Sequence, residues 1–346
     1  MSRVRVLVVD DSAFARKVVR EVLSRDAEIE VVGVARDGLE ALEKIEELRP
    51  DVMTLDLLMP ELDGLGVLRA LPDPSSPRVV IVSISRAESD LAIEALQMGA
   101  VDLVSKPTPL ATDRLYELSN ELVRKVKNAA VARPRRPRAM VPPPPLHAQG
   151  QPSVRLVVIG TSTGGPHALT RLFAALPAGL PVPLAIALHI PAGYTASLAD
   201  RLTGVGAMAV EEAREGTELV PGRAVIAPGG RHLRLRGSGE KILAVVSSEP
   251  RAALYRPSVD ELFESAARTV RGGVVGVVLT GMGEDGLRGA EAIRTDGGRV
   301  LAESKESCVV YGMPRAVIEA GLATDRVPLE GIAARLVELI QSVRAA

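Results

Sequence analysis

Short apolar runs recur along the chain, separated by longer stretches in which apolar residues return every three or four positions. The runs Val4 to Val9, Ile29 to Ala35, Val52 to Leu55, Val79 to Ile84 and Val101 to Val104 are apolar at nearly every position. That is the pattern of strands buried on both faces. Between them, Ala13 to Ser24 and Gly38 to Leu48 carry helical spacing, and Ser12 stands where an N-cap is expected. Such βα alternation predicts a parallel sheet with helices on both faces. It resumes further on, with strands expected at Leu156 to Ile159, Leu184 to Leu188, Ala224 to Ile226, Val274 to Leu279 and Arg299 to Ala302. An antiparallel excursion is expected around His232 to Val246, turning at Gly237-Ser238-Gly239.

Between the two halves, Ala132 to Gln151 reads ARPRRPRAMVPPPPLHAQGQ and shows no apolar period. Dense proline favours an extended, semi-rigid tether. Arg133, Arg135, Arg136 and Arg138 are read as a solvated stretch that keeps it soluble, with docking to an acidic surface as the sharper alternative. The chain is thus read as two α/β domains, each a doubly wound parallel sheet, at residues 1–125 and 153–346, joined by a Pro/Arg-rich linker at 126–152.

Bulk properties narrow the classes. A length of 346 residues favours two cores over one. With 42 basic and 43 acidic residues, no basic excess points to nucleic acid as a partner. The single cysteine, Cys308, excludes an internal disulfide framework and fits a reducing compartment. No signal-peptide pattern and no run of about 18 apolar residues is found, so a cytoplasmic location without membrane insertion is expected.

Candidate chemistry clusters at expected strand ends, where an open parallel sheet gathers its functional groups. In the first domain, Asp10 and Asp11 end one strand, Asp56 another, Ser83 a third, and Lys106 follows a fourth. Three close carboxylates repel one another, and a hard divalent cation such as Mg²⁺ relieves that. One carboxylate can then attack a phosphoryl group, with metal and lysine neutralising the transferred charge. In the second domain, Val157-Val158-Ile159 leads into Gly160-Thr161-Ser162-Thr163-Gly164-Gly165. His189 follows the next apolar run, and Asp285 lies just after Val274 to Leu279. A serine hydroxyl needs a base, and the base needs an orienting carboxylate. The order Ser, His, Asp disfavours the α/β-hydrolase fold, where the acid precedes the histidine. Simpler readings remain at this point: Ser162 as a helix cap, the glycines as a phosphate cradle, His189 as a core residue, Asp285 as a turn residue. His167, in the first turn of a helix, is a second candidate base; His232 is a candidate cleft residue, and His147 lies in the tether.

VLVVDDSAFAR, LDLLMPELDGLGVLR and SKP together resemble the response-regulator receiver family over almost all of residues 1–125. The resemblance implies a flavodoxin-like sheet, Asp56 as phosphoacceptor, Mg²⁺ held by Asp10, Asp11 and Asp56, Ser83 as the switch hydroxyl, Lys106 on the phosphate, and a histidine kinase as phosphodonor. Leu103 departs from the family's frequent aromatic near that position. IGTSTGG, ALHIP, AGYTASLADRL, RAVIAPGGRHL, RPSVDELF, LTGMGEDG and CVVYGMPRA resemble the chemotaxis protein-glutamate methylesterase (CheB) family over most of residues 153–346. This implies a Rossmann-like esterase domain with no cofactor of its own, Ser162 as nucleophile, His189 as base and Asp285 as orienting acid. The implied substrates are γ-glutamyl methyl esters on the cytoplasmic helices of chemoreceptors, with methanol released, and some members also deamidate glutamines. Backbone N–H groups near Thr163 and Met282 are the expected oxyanion donors. Thr161, Glu284, Glu303 and Lys305 depart from common residues of that family. A receiver-controlled binding module without enzymatic activity, or an enzyme that is mainly a deamidase, are the rival readings.

Overall fold

The structure is a computed structural model that describes residues 3–71, 77–83, 88–106, 112–132, 138–146, 153–239, 241–250 and 253–342. Arg133, Arg135, Arg136 and His147, singled out above, lie outside the described residues. The chain forms two compact units, Met1–Pro134 and Arg135–Ala346.

The first unit alternates β1 (Val4–Val9), α1 (Ala13–Ser24), β2 (Ile29–Ala35), α2 (Gly38–Leu48), β3 (Val52–Leu55), α3 (Gly64–Ala70), β4 (Arg78–Ser83), α4 (Ser89–Gln97), β5 (Asp102–Ser105) and α5 (Thr112–Val131). Its strands pair in parallel in the order β2-β1-β3-β4-β5. Ser12, Asp37 and Asp63 each cap a helix, their side chains accepting from the N–H of Ala15, Glu40 and Gly66. Helix α1 buries Ala15, Val19 and Leu23, one stripe at i, i+4, i+8. Helix α5 runs past residue 125 to Val131, because Leu122, Val126 and Ala129 continue its buried stripe.

The second unit continues with β6 (Leu156–Thr161), α6 (Gly165–Ala175), β7 (Leu184–Leu188), α7 (Thr195–Val205), β8 (Ala209–Glu212), β9 (Glu218–Leu219), β10 (Arg223–Ile226), β11 (His232–Ser238), β12 (Lys241–Ser247), α8 (Val259–Val270), β13 (Val274–Val278), α9 (Leu287–Thr295), β14 (Arg299–Glu303), α10 (Met313–Glu319), β15 (Asp325–Val327) and α11 (Leu329–Gln341). Seven of these strands form one parallel sheet in the order β15-β14-β13-β6-β7-β10-β8. The expected antiparallel excursion is the β11–β12 hairpin, joined by β9 in a separate small sheet. Two strands of the large sheet escape the apolar pattern: β8 and β15 are short outer strands whose residues are largely exposed or half-buried.

The proline-rich stretch is more than a spacer. Residues 138–146 form no helix or strand but are bonded to the second unit, where Val141 N–H donates to the Glu330 carbonyl (2.8 Å) and Gln341 Nε2 donates to the Pro145 carbonyl (2.9 Å). Arg171 donates to the Arg138 carbonyl while also pairing with Glu330 at 2.9 Å. Backbone groups of this segment are taken up by the Arg171 side chain of α6, the Gln341 side chain of α11 and the Glu330 carbonyl of α11.

The centre of the large sheet is tightly packed where β6 meets α8. A Cβ placed on Gly160 would lie 2.2 Å from Val259 Cγ1, the first residue of α8. Gly160→Ala is therefore expected to lower the stability of the second unit by about 1–3 kcal/mol, the usual cost of overpacking. Denaturant unfolding of the full chain measures it, and an unchanged midpoint for that unit contradicts the packing described.

Candidate functional sites

In the first unit the strand ends converge as their alternation implies. Asp10 follows β1, Asp56 follows β3 and Lys106 follows β5, and all three are buried. Lys106 Nζ lies 2.9 Å from Asp10 Oδ2 and 2.6 Å from Asp56 Oδ2. Asp11 is exposed, and one carboxylate oxygen from each of Asp10, Asp11 and Asp56 lies within 4.8 Å of the others. Three carboxylates against one ammonium leave a negative excess, and the donors are all hard oxygens, so the set fits a hard divalent cation. Burial pushes Asp56 up to about 6, while the Lys106 hydrogen bond and charge pull it down and Asp10 pushes it up again. Burial disfavours the Lys106 ammonium, but its bonds to Asp56 and Asp10 outweigh that and raise its pKa. Ser83, fully buried at the end of β4, donates to Glu88 Oε2 at 2.5 Å. Glu88 was not anticipated from the sequence; in this conformation it holds the hydroxyl expected to meet a phosphoryl group. Leu103 is buried within β5, so the position of the family's mobile aromatic is part of the core here.

In the second unit, register does most of the positioning. Thr161, the last residue of β6, pairs with Leu188, the last of β7, and His189 N–H donates to the Thr161 carbonyl (3.2 Å). Ser162 and His189 therefore leave adjacent strands at the same level. On the other side, β13 pairs with β6 through Val278 and Gly160. Its continuation crosses the serine turn so closely that a Cβ on Gly281 would fall 2.8 Å from Ser162 Cβ. The backbone of Gly281 thus runs against Ser162, with Met282 next in the chain, and Thr163 directly follows Ser162. Gly164 adopts φ +79°, and a Cβ there would meet Val309 Cβ at 2.7 Å, so the turn into α6 requires glycine.

Ser162, His189 and Asp285 meet at this edge. His189 Nδ1 lies 3.1 Å from Ser162 Oγ, and His189 Nε2 lies 2.7 Å from Asp285 Oδ2. An ionised Asp285 accepts only, so Nε2 carries the hydrogen and Nδ1 offers its lone pair to the serine hydroxyl. Asp285 is held at the N-terminus of α8: Oδ1 accepts from Ser258 Oγ (2.9 Å) and Asp260 N–H (3.0 Å), and Oδ2 accepts from Val259 N–H (2.8 Å). Burial raises its pKa, but His189 and these N–H donors outweigh that, and the net shift is downward. Asp260 returns the arrangement, with Oδ1 accepting from Gly286 (2.9 Å) and Gly289 (2.8 Å) N–H at the start of α9, and Oδ2 from Arg288 Nε (3.0 Å). Asp285 thus caps the helix that carries Asp260, and Asp260 caps the helix that follows Asp285.

The remaining expectations resolve as follows. His167 is half-buried in the first turn of α6, and burial together with Arg171 lowers its pKa. It is His189, not His167, that the structure brings to Ser162. His232 does not line a cleft: it is fully buried, its Nδ1 accepting from Ser258 N–H and its Nε2 facing the Pro250 carbonyl, both at 3.3 Å. Thr161 Oγ1 donates to the Thr280 carbonyl (2.8 Å), which also accepts from Ser162 N–H (3.1 Å). Thr280 Oγ1 in turn donates to the Thr163 carbonyl (3.0 Å), and its N–H donates to the buried Glu303 carboxylate (2.7 Å). Two departures from the family pattern, Thr161 and Glu303, are thus braces of the serine turn. Glu284 and Lys305 are exposed, where solvent and salt screen their charges. Sequence reasoning missed Ser258, Asp260 and Thr280 as supports, although Ser258-Val259-Asp260-Glu261 carries the Ser-x-x-Glu signature of a helix start.

A carboxylate-lined strand edge with a buried lysine on one unit and a Ser-His-Asp cluster on the other define a class: a response regulator that carries its own α/β output domain. Comparison with known families agrees, with the response regulator receiver domain matching residues 6–118 and the CheB methylesterase domain matching residues 157–336. The chain belongs to the CheB methylesterase family. It is 60% identical over 342 residues to protein-glutamate methylesterase/protein-glutamine glutaminase 5 of Myxococcus xanthus (strain DK1622), covering 97% of this chain and 98% of the relative. It is 44% identical to the protein-glutamate methylesterase/protein-glutamine glutaminase of Geobacillus kaustophilus (strain HTA426), covering 98% and 99%. The crystal structure of the Thermotoga maritima CheB methylesterase catalytic domain matches with a TM-score of 0.53 and 41% identity, over 54% of this chain and 99% of that one. Among the described residues, no helix is long and apolar enough to cross a membrane.

The downward shift of Asp285 sets a pH dependence. A carboxylate with a depressed folded pKa contributes stability above its unfolded value of 3.8, and loses it as pH falls through the folded value. Asp285→Asn also turns an amide N–H₂ toward the donors at Val259 and His189. Its melting temperature is expected to lie below the parent's at neutral pH, with the gap closing as the pH drops below about 4. Thermal melts of both chains between pH 3 and pH 7 measure the gap; a gap that widens in acid contradicts this electrostatic account.

Proposed function

We propose that this chain hydrolyses γ-glutamyl methyl esters on chemoreceptor cytoplasmic helices by a Ser162-His189-Asp285 mechanism, under control of phosphorylation at Asp56. The observation that carries the reading is the continuous line of hydrogen bonds from Ser162 Oγ through the His189 ring to Asp285. Ser162 Oγ attacks the ester carbonyl while His189 Nδ1 takes its proton. The imidazolium is stabilised by Asp285, which is itself fixed by three donors at the start of α8. Backbone N–H groups of Thr163 and Met282 receive the oxyanion; Thr280 braces the first turn, and Gly281 sets the second against Ser162. His189 returns the proton to the leaving methoxide and methanol departs. Water, deprotonated by the same nitrogen, then cleaves the acyl-serine to glutamate. With a glutamine side chain the same steps release ammonia, and the names of the relatives include both activities.

In the receiver, Asp56 accepts a phosphoryl group from a histidine kinase, with Lys106 beside its Oδ2 to pair with the incoming charge. Asp10, Asp11 and Asp56 would hold a Mg²⁺ ion, which supplies charge neutralisation when bound. A cytoplasmic site of action follows from both partners. A binding module without catalysis is disfavoured, because it has no need of a serine, a base and an acid in hydrogen-bonding register.

Methanol release from methylated receptor tests the scheme. Ser162→Ala is expected to lose roughly 10⁴-fold or more in rate, as triad knockouts do, while still taking up phosphate at Asp56. Asp56→Asn is expected to keep basal release but lose the increase produced by a small-molecule phosphodonor. Release by Ser162→Ala near the parental rate would refute the serine mechanism, and a phosphodonor response surviving in Asp56→Asn would refute the control assigned to Asp56.

A further inference from the structure

A half-buried aromatic residue outside the proposed reaction scheme lies flat against the base. The Tyr255 ring stacks on the His189 imidazole with centroids 4.1 Å apart and planes 8° from parallel. The other end of the same side chain reaches the loop that carries Met282 and Asp285. Gly283 stands at φ +83°, and a Cβ built on it would lie 3.0 Å from Tyr255 Oη. One phenol therefore touches both the base and the loop of its acid. Described residues on either side of Tyr255, between β12 and α8, are tied down. Gly230 N–H donates to the Arg256 carbonyl (3.1 Å), and buried His232 joins the Pro250 carbonyl to Ser258, whose hydroxyl bonds Asp285.

Stacking of this kind restrains the one motion that disables the base. The two ring nitrogens face different partners, so turning the imidazole about its Cβ–Cγ bond breaks both hydrogen bonds together. A ring edge cannot sweep through an aromatic face only 4.1 Å away unless that face withdraws. The phenol face also suits the positive charge that His189 acquires when it takes the serine proton.

We propose that Tyr255 is a positioning residue of the esterase: its ring holds the His189 plane so that Nδ1 meets Ser162 while Nε2 meets Asp285. This rests on the serine mechanism proposed above. The role belongs to the ring and not to the hydroxyl, which separates it from a polar or substrate-binding function.

The test uses the full-length chain with Tyr255→Phe, which keeps the stacking face, and Tyr255→Leu, which keeps apolar bulk without one. Tyr255→Met is the second ring-less variant should the leucine chain unfold. Steady-state methanol release and the low-field proton resonance of the His189–Asp285 hydrogen bond are recorded for each. The phenylalanine variant is expected to keep the parental kcat and the resonance. The ring-less variants are expected to lose about 10- to 100-fold in kcat at little-changed KM, with the resonance broadened or gone. A ring-less chain with parental kcat, a rise confined to KM, or an equal loss in the phenylalanine variant each overturns the proposal. Ser162→Ala measured alongside keeps the two claims apart. If it stays active, the serine mechanism fails and this inference with it; if it is inactive while the ring-less variants are not, only the role of Tyr255 falls.

Discussion

A buried carboxylate at the start of a helix organises the edge of the second unit where Ser162 and His189 meet. Asp285 is acceptor to the base, to the Ser258 hydroxyl and to two backbone N–H groups of α8. Buried carboxylates are costly unless every oxygen is paired, and breaking such a set by removing one partner costs about 3–5 kcal/mol. The reciprocal seat of Asp260 at the start of α9 locks the same two helices from the other side. Charge-assisted bonds to helix N-termini contribute more than neutral ones, since the helix dipole adds to each. The acid is thereby fixed before any substrate arrives, and the tautomer and position of His189 follow from it.

That pinning works because the sheet has already brought the parts close. The parallel order turns back at its centre, where β13, β6 and β7 lie side by side. Three residues, successively 27 and 96 positions apart, leave three neighbouring strands at one edge, the crevice such sheets offer for chemistry. The receiver uses the same geometry for a different end. There, too, β1, β3 and β5 deliver charged residues to one edge, but the charges are three carboxylates and a lysine suited to a metal and a phosphoryl group. One architectural rule thus gathers charged and polar side chains at a strand edge in both units.

Much of this was legible in the residues. Strands buried on both faces announce themselves as unbroken apolar runs, so the central strands and the residues that end them could be read directly. Asp56, Ser162 and His189 were expected just past strand ends on that basis, and they follow β3, β6 and β7. The outer strands β8 and β15 were not, because an exposed strand of three or four residues carries no apolar signature. The supports were harder still. Asp260 and Thr280 act through contacts to residues distant in sequence, and nothing local marks a carboxylate as the cap of a helix two elements away. His232 was misjudged for the same reason: a histidine after a glycine-rich turn looks like a cleft residue until burial shows it supporting the segment behind Asp285. The hydrogen bonds of residues 138–146 to α6 and α11 were not legible either, because they depend on partners that only the fold supplies.

The central claim is that Ser162 becomes a nucleophile because His189 and Asp285 act on it as a unit. Covalent labelling reads this without any receptor substrate: the chain is incubated with an alkyl fluorophosphonate, digested and analysed by mass spectrometry. The account predicts a single adduct on the peptide containing Ser162, formed at neutral pH and lost when His189 is replaced by Gln. An adduct forming equally fast in His189→Gln, or no adduct at Ser162 in a chain that still releases methanol, would contradict it.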